Sequence, residues 1–203
     1  MGVKLSWIAV REVNYSKINS ILELSDMTLL GIARENQYKE YYKNNEFNGR
    51  MEAFLTQKGW YFIMCRYLPF FIEEKLHMLS KETTLVIFEL TETAMSAKAE
   101  YWFNSEKIWS LSHNPNEGIF NLEENGILPD SFRSIKEKIF AEQNNKGGVN
   151  AKVDCIIEIP SLMASEVTGY KHDEGFVNKD KIIESTESVL SRKKPSLLLK
   201  EYI

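Results

Sequence analysis

The chain has 203 residues, 43% of them hydrophobic and 27% charged, with a formal net charge of −4. That length suits one substantial core, and that composition excludes wholesale disorder. No apolar run reaches the roughly 18 residues needed to cross a bilayer, and the N-terminus lacks the apolar stretch of a secretory leader, so a cytoplasmic protein without a membrane partner is expected.

The charge is unevenly spread. Residues 69–160 carry 15 acids against 9 Lys and Arg, a balance of −6, whereas residues 1–68 carry 7 against 9 and residues 161–203 carry 7 of each. Nucleic-acid affinity rests on cationic side chains that neutralise phosphates, so an acidic middle argues against DNA or RNA and for a basic protein partner.

In chain order, Lys4 to Arg11 reads as a first strand around Trp7, followed by a helix with Ile18, Ile21 and Leu22 on one side, capped by Asn14 or Ser16. A short apolar patch, Met27 to Ala33, leads into the polar run Glu35 to Asn45, which has no clear period and reads as a connection. Arg50–Thr56 and Trp60–Tyr67 are predicted strands joined through Gln57-Lys58-Gly59. Pro69 opens a predicted helix to about Lys81, with Leu68, Ile72, Leu76 and Leu79 on one face.

Between Thr83 and His113 three β-rich runs follow in quick succession: Leu85–Leu90, Ala99–Phe103 and Lys107–Leu111. Asn104-Ser105-Glu106 reads as the hairpin connection of the last two. After the turn cluster His113–Gly118, an edge strand is expected at Ile119–Glu123. A helix capped by Asp130 or Ser131 then carries the stripe Phe132, Ile135, Ile139 and Phe140, and ends before Gly147-Gly148. Val153–Ile159 reads as a buried strand that passes at Pro160 into a helix stopped by Gly169. A last helix is expected over Lys179–Ser191, broken by Pro195, with the tail Leu197 to Leu199 docked on the body.

Strands in runs separated by single helices predict an α+β fold, a mostly antiparallel sheet covered on one face by helices, with a C-terminal helix and docked tail. Residues 1–175 are expected to form a single domain, and 176–203 the helix and tail packed on it.

Chemistry-bearing patterns are sparse. His77, His113 and His172 are far apart, and none has a second His or Cys at ligand spacing, so neither a metal nor a cofactor is expected. A Gly-x-Ser-x-Gly elbow and a Gly-rich phosphate loop are missing from the sequence. Cys65 and Cys155 sit in apolar runs and read as core residues in a reducing compartment. His172 beside Asp173, and His113, form the alternative site of a small hydrolase or transferase working through a nearby carboxylate. The Glu100-Trp102 face of the central hairpin, read as pointing outward, is a candidate hot spot for a partner. With Glu92, Glu106, Glu123 and Glu124 it makes the expected partner-binding surface.

At Trp60, at Trp102–His113 and at Val153–Asp173 the chain resembles a group of uncharacterised bacterial proteins of similar size. The shared words are Ile108-Trp109-Ser110-Leu111-Ser112-His113-Asn114, Ile127-Leu128-Pro129, Val153-Asp154-Cys155-Ile156-Ile157-Glu158-Ile159-Pro160 and Thr168-Gly169-Tyr170-Lys171-His172-Asp173. The resemblance spans roughly residues 50–173 and implies a single bacterial domain, with no activity attached. In type, without a shared motif, the chain is similar to small acidic bacterial immunity proteins. The expectation is therefore a non-catalytic protein-binding module, an antitoxin that occludes a cognate protein such as a basic toxin domain. A monomer and a homodimer both fit the sequence.

Overall fold

Along Lys4–Arg11 residues 5–10 are all buried and only the two ends are exposed, as in a strand covered on both faces. This strand is the middle of the sheet in a computed structural model that describes residues 4–11, 15–22, 28–31, 50–56, 58–65, 73–176 and 182–189. The strands are β1 (Lys4–Arg11), β2 (Thr28–Gly31), β3 (Arg50–Thr56), β4 (Trp60–Cys65), β5 (Thr84–Thr91), β6 (Ser96–Phe103), β7 (Glu106–His113), β8 (Glu123–Gly126), β9 (Tyr170–Lys171), β10 (Gly175–Phe176) and β11 (Ile182–Val189). The helices among the described residues are α1 (Tyr15–Leu22), α2 (Glu73–Leu79), α3 (Ser131–Asn145) and α4 (Glu158–Thr168).

Nine of the strands form one sheet in the order β2-β11-β3-β4-β1-β5-β6-β7-β8, and β9 and β10 form a small separate hairpin. Every pairing in the large sheet is antiparallel. Trp7 in β1 stands opposite Met64 of β4 and Phe88 of β5. The β3–β4 hairpin closes as expected at Gly59, whose φ of +78° suits glycine and whose N–H donates to the Thr56 carbonyl at 3.0 Å.

The two faces of the sheet have different cores. Trp7, Phe54, Phe62, Phe88 and Leu111 lie on one face and pack with Phe132 and Ile139 of α3 and Ile159 and Met163 of α4. Ile8, Val10, Ile63, Leu85, Ile87 and Trp102 lie on the other, with Ile18 of α1 and Leu76 and Leu79 of α2. The α+β class and the antiparallel sheet are thus as expected. The thinner helical layer of α1 and α2 on the second face is an addition to that expectation.

Three segments differ from their expected state. Val153–Ile159 is not a strand: residues 151–157 form turns and α4 begins at Glu158. Side chains meet the backbone demand there. The Gln143 amide donates to the Val153 and Gly148 carbonyls and accepts from the Cys155 N–H at 2.7 Å, while Asp154 accepts from the Ile156 N–H at 2.9 Å. Within the expected helix Lys179–Ser191, the described residues Ile182–Val189 form strand β11 instead, inserted between β3 and β2. The edge strand lies at Glu123–Gly126 and not at Ile119–Glu123; Phe120 and Leu122 instead pack against the core.

Other expectations hold at their centres. Residues 73–79 of the Pro69 helix are helical, and Gly169 ends α4 at φ +73° with its N–H on the Ser165 carbonyl. Asp130 takes the N-cap position of α3 without a side-chain cap bond. The polar run 35–45, the expected helix start at Pro69 and the tail 197–199 lie outside the described residues. No helix among the described residues is long and apolar enough to cross a membrane.

Candidate functional site

Period-two alternation places one set of side chains from β5 to β8 on the face that carries α1 and α2. Register aligns them in rows across the strands. Glu89, Lys98, Ser112 and Glu123 form one row, Ile87, Glu100, Ser110 and Asn125 the next, and Leu85, Trp102 and Lys107 a third. Toward β5 the rows of Leu85 and Ile87 are apolar and roofed by α2, while Glu89 stands exposed in the remaining row; toward β8 they are polar, with Lys98, Lys107, Glu123 and Asn125 exposed.

Glu100 anchors this face. It is 4% exposed, and every part of its carboxylate is engaged: Oε1 meets Lys98 Nζ at 2.7 Å and Lys107 Nζ at 3.3 Å, and Oε2 accepts from the Trp102 indole N–H at 2.8 Å. Burial pushes the carboxyl upward, but the hydrogen bond and charge of Lys98, the Trp102 N–H and the Lys107 charge outweigh it and hold the group below its ordinary 4.5. The same exchange works in reverse on Lys98: partial burial lowers it, and Glu100 more than restores it, so its ammonium is held above the ordinary range.

Trp102 is corrected from an outward to a buried position, 1% exposed. Its ring is covered by the edge of His77, 5.3 Å between centroids, and by the Lys107 ammonium 5.0 Å above it. α2 is tied to the β6–β7 turn: His77 Nδ1 lies 2.5 Å from the Ser105 carbonyl, and the Ser105 hydroxyl donates to the His77 carbonyl at 2.8 Å. Asn104 and Ser105 both have positive φ, +52° and +64°, as a two-residue hairpin turn matching strand twist requires.

Lys107 reaches this face only because the strand is irregular. Tyr101 pairs with Trp109 but Trp102 pairs with Lys107, so Ile108 is an extra residue in β7. Without it, strict alternation would put Lys107 on the side of Trp109. The Ile108 carbonyl accepts the Ile127 N–H at 2.8 Å, and Gly126 passes so near that a Cβ there would stand 2.1 Å from that oxygen. Between α2 and these strands lies a half-open recess of about 180 Å³, lined by Glu73, Leu76, Ile87, Glu89, Lys98, Glu100, Trp102 and Lys107.

The acidic residues singled out in the sequence do not form one patch. Glu100 and Glu123 share the polar face. Glu123 accepts from the Ser112 hydroxyl at 2.7 Å. Glu124, next along the strand, points to the opposite side and pairs with Lys136 of α3 at 2.5 Å. Glu106 stands exposed at the β6–β7 turn and Glu92 in the short 3-10 turn after β5, at opposite ends of the hairpin. Lys98, Lys107 and Glu73, which complete the recess, were missed by sequence reasoning; period two from Glu100 finds Lys98, but nothing in the sequence marks the extra residue that turns Lys107.

His113, His172 and Asp173 each have other partners. The His113 side chain has no exposure; Nδ1 lies 2.6 Å from the Asn121 carbonyl and Nε2 2.7 Å from Asp154 Oδ2. Both ring nitrogens face acceptors, so this pair clasps the segment 119–122 and the turn before α4 to the end of β7. His172 stacks on Phe88 at 5.6 Å, with Nδ1 3.3 Å from the Ser161 hydroxyl. Burial draws its imidazole below the ordinary range, against the pull of Asp173 and Glu158. Asp173 is exposed and pairs with Lys171, as do Glu158 and Glu174. Cys155 is a buried free thiol with Lys146 Nζ 3.4 Å from its sulfur. Among the described residues no group of three or more His, Cys, Asp or Glu gathers as metal ligands would. In comparisons with known proteins, the chain matches no family model, no curated protein and no solved structure.

Proposed function

We propose that this chain is a non-catalytic, cytoplasmic protein-binding module of the bacterial immunity type, which blocks a cognate toxin by occluding its basic surface. The observation that carries the reading is the polar face of β5–β8: charged side chains stand in register on rigid strands, and Glu100 fixes two of them in place. A surface of this kind, preorganised and with Glu89, Glu100 and Glu123 outnumbering Lys98 and Lys107, gives specificity and fast association with a basic partner. Glu89 and Glu123 are its exposed acids, Glu106 and Glu92 stand at the two ends of the hairpin, and Glu124 faces the opposite side. Glu100 and Trp102 serve beneath them as positioning residues.

The test is co-expression in a bacterial host with the products of the adjacent reading frames. One of them is expected to arrest growth alone and to be neutralised by this protein, with neutralisation weakened by Glu106→Lys combined with Glu123→Lys. Neighbouring products that are harmless, or neutralisation indifferent to both reversals, would defeat the proposal.

A further inference from the structure

We infer that the recess between α2 and β5–β7 is a socket for one cationic side chain of arginine type, supplied by a bound protein. The inference rests on the proposed function for the source of that side chain, and on the geometry for its chemistry. Small-molecule and cofactor pockets usually enclose about 300–1,000 Å³; the recess, at about 180 Å³, has room for a single side chain.

Its lining decides the sign of the occupant. Three carboxylates, Glu73, Glu89 and Glu100, stand against two ammoniums, Lys98 and Lys107. Both lysines are within 3.3 Å of the same Glu100 oxygen, so their charge is directed inward to the buried acid. Glu73 on α2, with His77 Nε2 at 4.0 Å, and Glu89 on β5, whose charge also acts on Lys98, both line the recess and are exposed. A planar guanidinium can donate to two carboxylates at once, which an ammonium does less well. Leu76, Ile87 and Trp102 close the recess from beneath and are themselves buried, so recognition of the occupant rests on charge.

The test needs no toxin. The full-length protein, labelled with nitrogen-15, is titrated at constant ionic strength with Nα-acetyl-arginine N-methylamide, and the assigned Trp102 indole N–H signal is followed. The corresponding lysine, glutamine and glutamate amides are run as parallel arms. A saturable shift with the arginine amide is expected, half-saturating at lower concentration than with the lysine amide. Glu73→Gln combined with Glu89→Gln, both at exposed positions, should raise the half-saturation concentration about tenfold, the combined effect of two partly solvated ion pairs.

No saturable shift, an equal response to the glutamine amide, or an unchanged response in the double variant would overturn the socket. So would tighter binding of the glutamate amide, which would mark the recess as an anion site between Lys98 and Lys107. Because the probe is a free amide, any of these failures leaves the co-expression result standing. Conversely, loss of the immunity reading leaves a positive titration in place.

Discussion

Glu100 is the residue on which the polar face turns, and its environment sets a measurable pH dependence. Its carboxyl is held below the ordinary 4.5 in the fold, so the folded state binds fewer protons than the unfolded chain between those two values. Its contribution to stability is therefore fully present above about pH 5 and is lost as pH falls through the depressed folded value. Glu100→Gln keeps an acceptor for the Trp102 N–H but removes the charge. Lys98 and Lys107 are 47% and 38% exposed, so water re-solvates them, and the cost at pH 7 should be about 1–2 kcal/mol, below the ~3–5 kcal/mol for stranding a fully buried charge. Urea unfolding at pH 7 and at pH 3 checks this: the gap between wild type and variant should shrink on acidification. A gap that stays constant would mean that the carboxylate charge contributes nothing.

At the scale of the element, sequence pattern located the first strand, the first helix, the β3–β4 hairpin and the central hairpin, because local alternation and turn chemistry coincide there. It failed where side chains take over the role of a neighbouring strand. Cys155, Ile156 and Ile157 form an apolar run, but Gln143 and Asp154 satisfy the backbone beside them and leave the chain free to turn into α4. In β11, Ile182, Ile183, Thr186 and Val189 fit a helical stripe as well as a strand, and only distant pairing to β3 and β2 decides between them. The site was legible in the same partial way. Glu100 and Trp102 do share a face, as alternation requires, but α2 roofs that face and buries both. The extra residue Ile108 depends on Gly126, at φ +81° and within contact of the Ile108 carbonyl. Gly126→Ala should cost at least ~2 kcal/mol, from the forbidden approach together with the positive φ. It should also raise amide exchange in β8 and shift the Trp102 indole signal as Lys107 moves. Unchanged exchange in β8 would show that the irregular pairing does not need glycine there.

Across the whole molecule, the sheet is completed by segments far apart in sequence. β1 from the N-terminal end lies at its centre, and β11 from the C-terminal end sits between β2 and β3. Residues 182–189 are therefore a structural member of the sheet, and the charge-bearing half, β5 to β8, lies on the other side of β1. This arrangement separates two consequences of truncation. A chain ending at Phe176 would lack β11, leave β2 without its strand partner and expose the backbone groups of β3 along one edge. Open edges of this kind pair with other chains, so the truncated protein should self-associate on size-exclusion chromatography and melt at lower temperature. The recess is built from α2, β5, β6 and β7, none of which touches β11 in the strand order. The fraction that stays monomeric should therefore keep the Trp102 indole environment and its response to the arginine amide. A truncated chain that remains monomeric with an unchanged melting temperature would show that β3 does not need its partner. Loss of the Trp102 signal in the monomer would instead show that the two halves of the sheet fold as one cooperative unit.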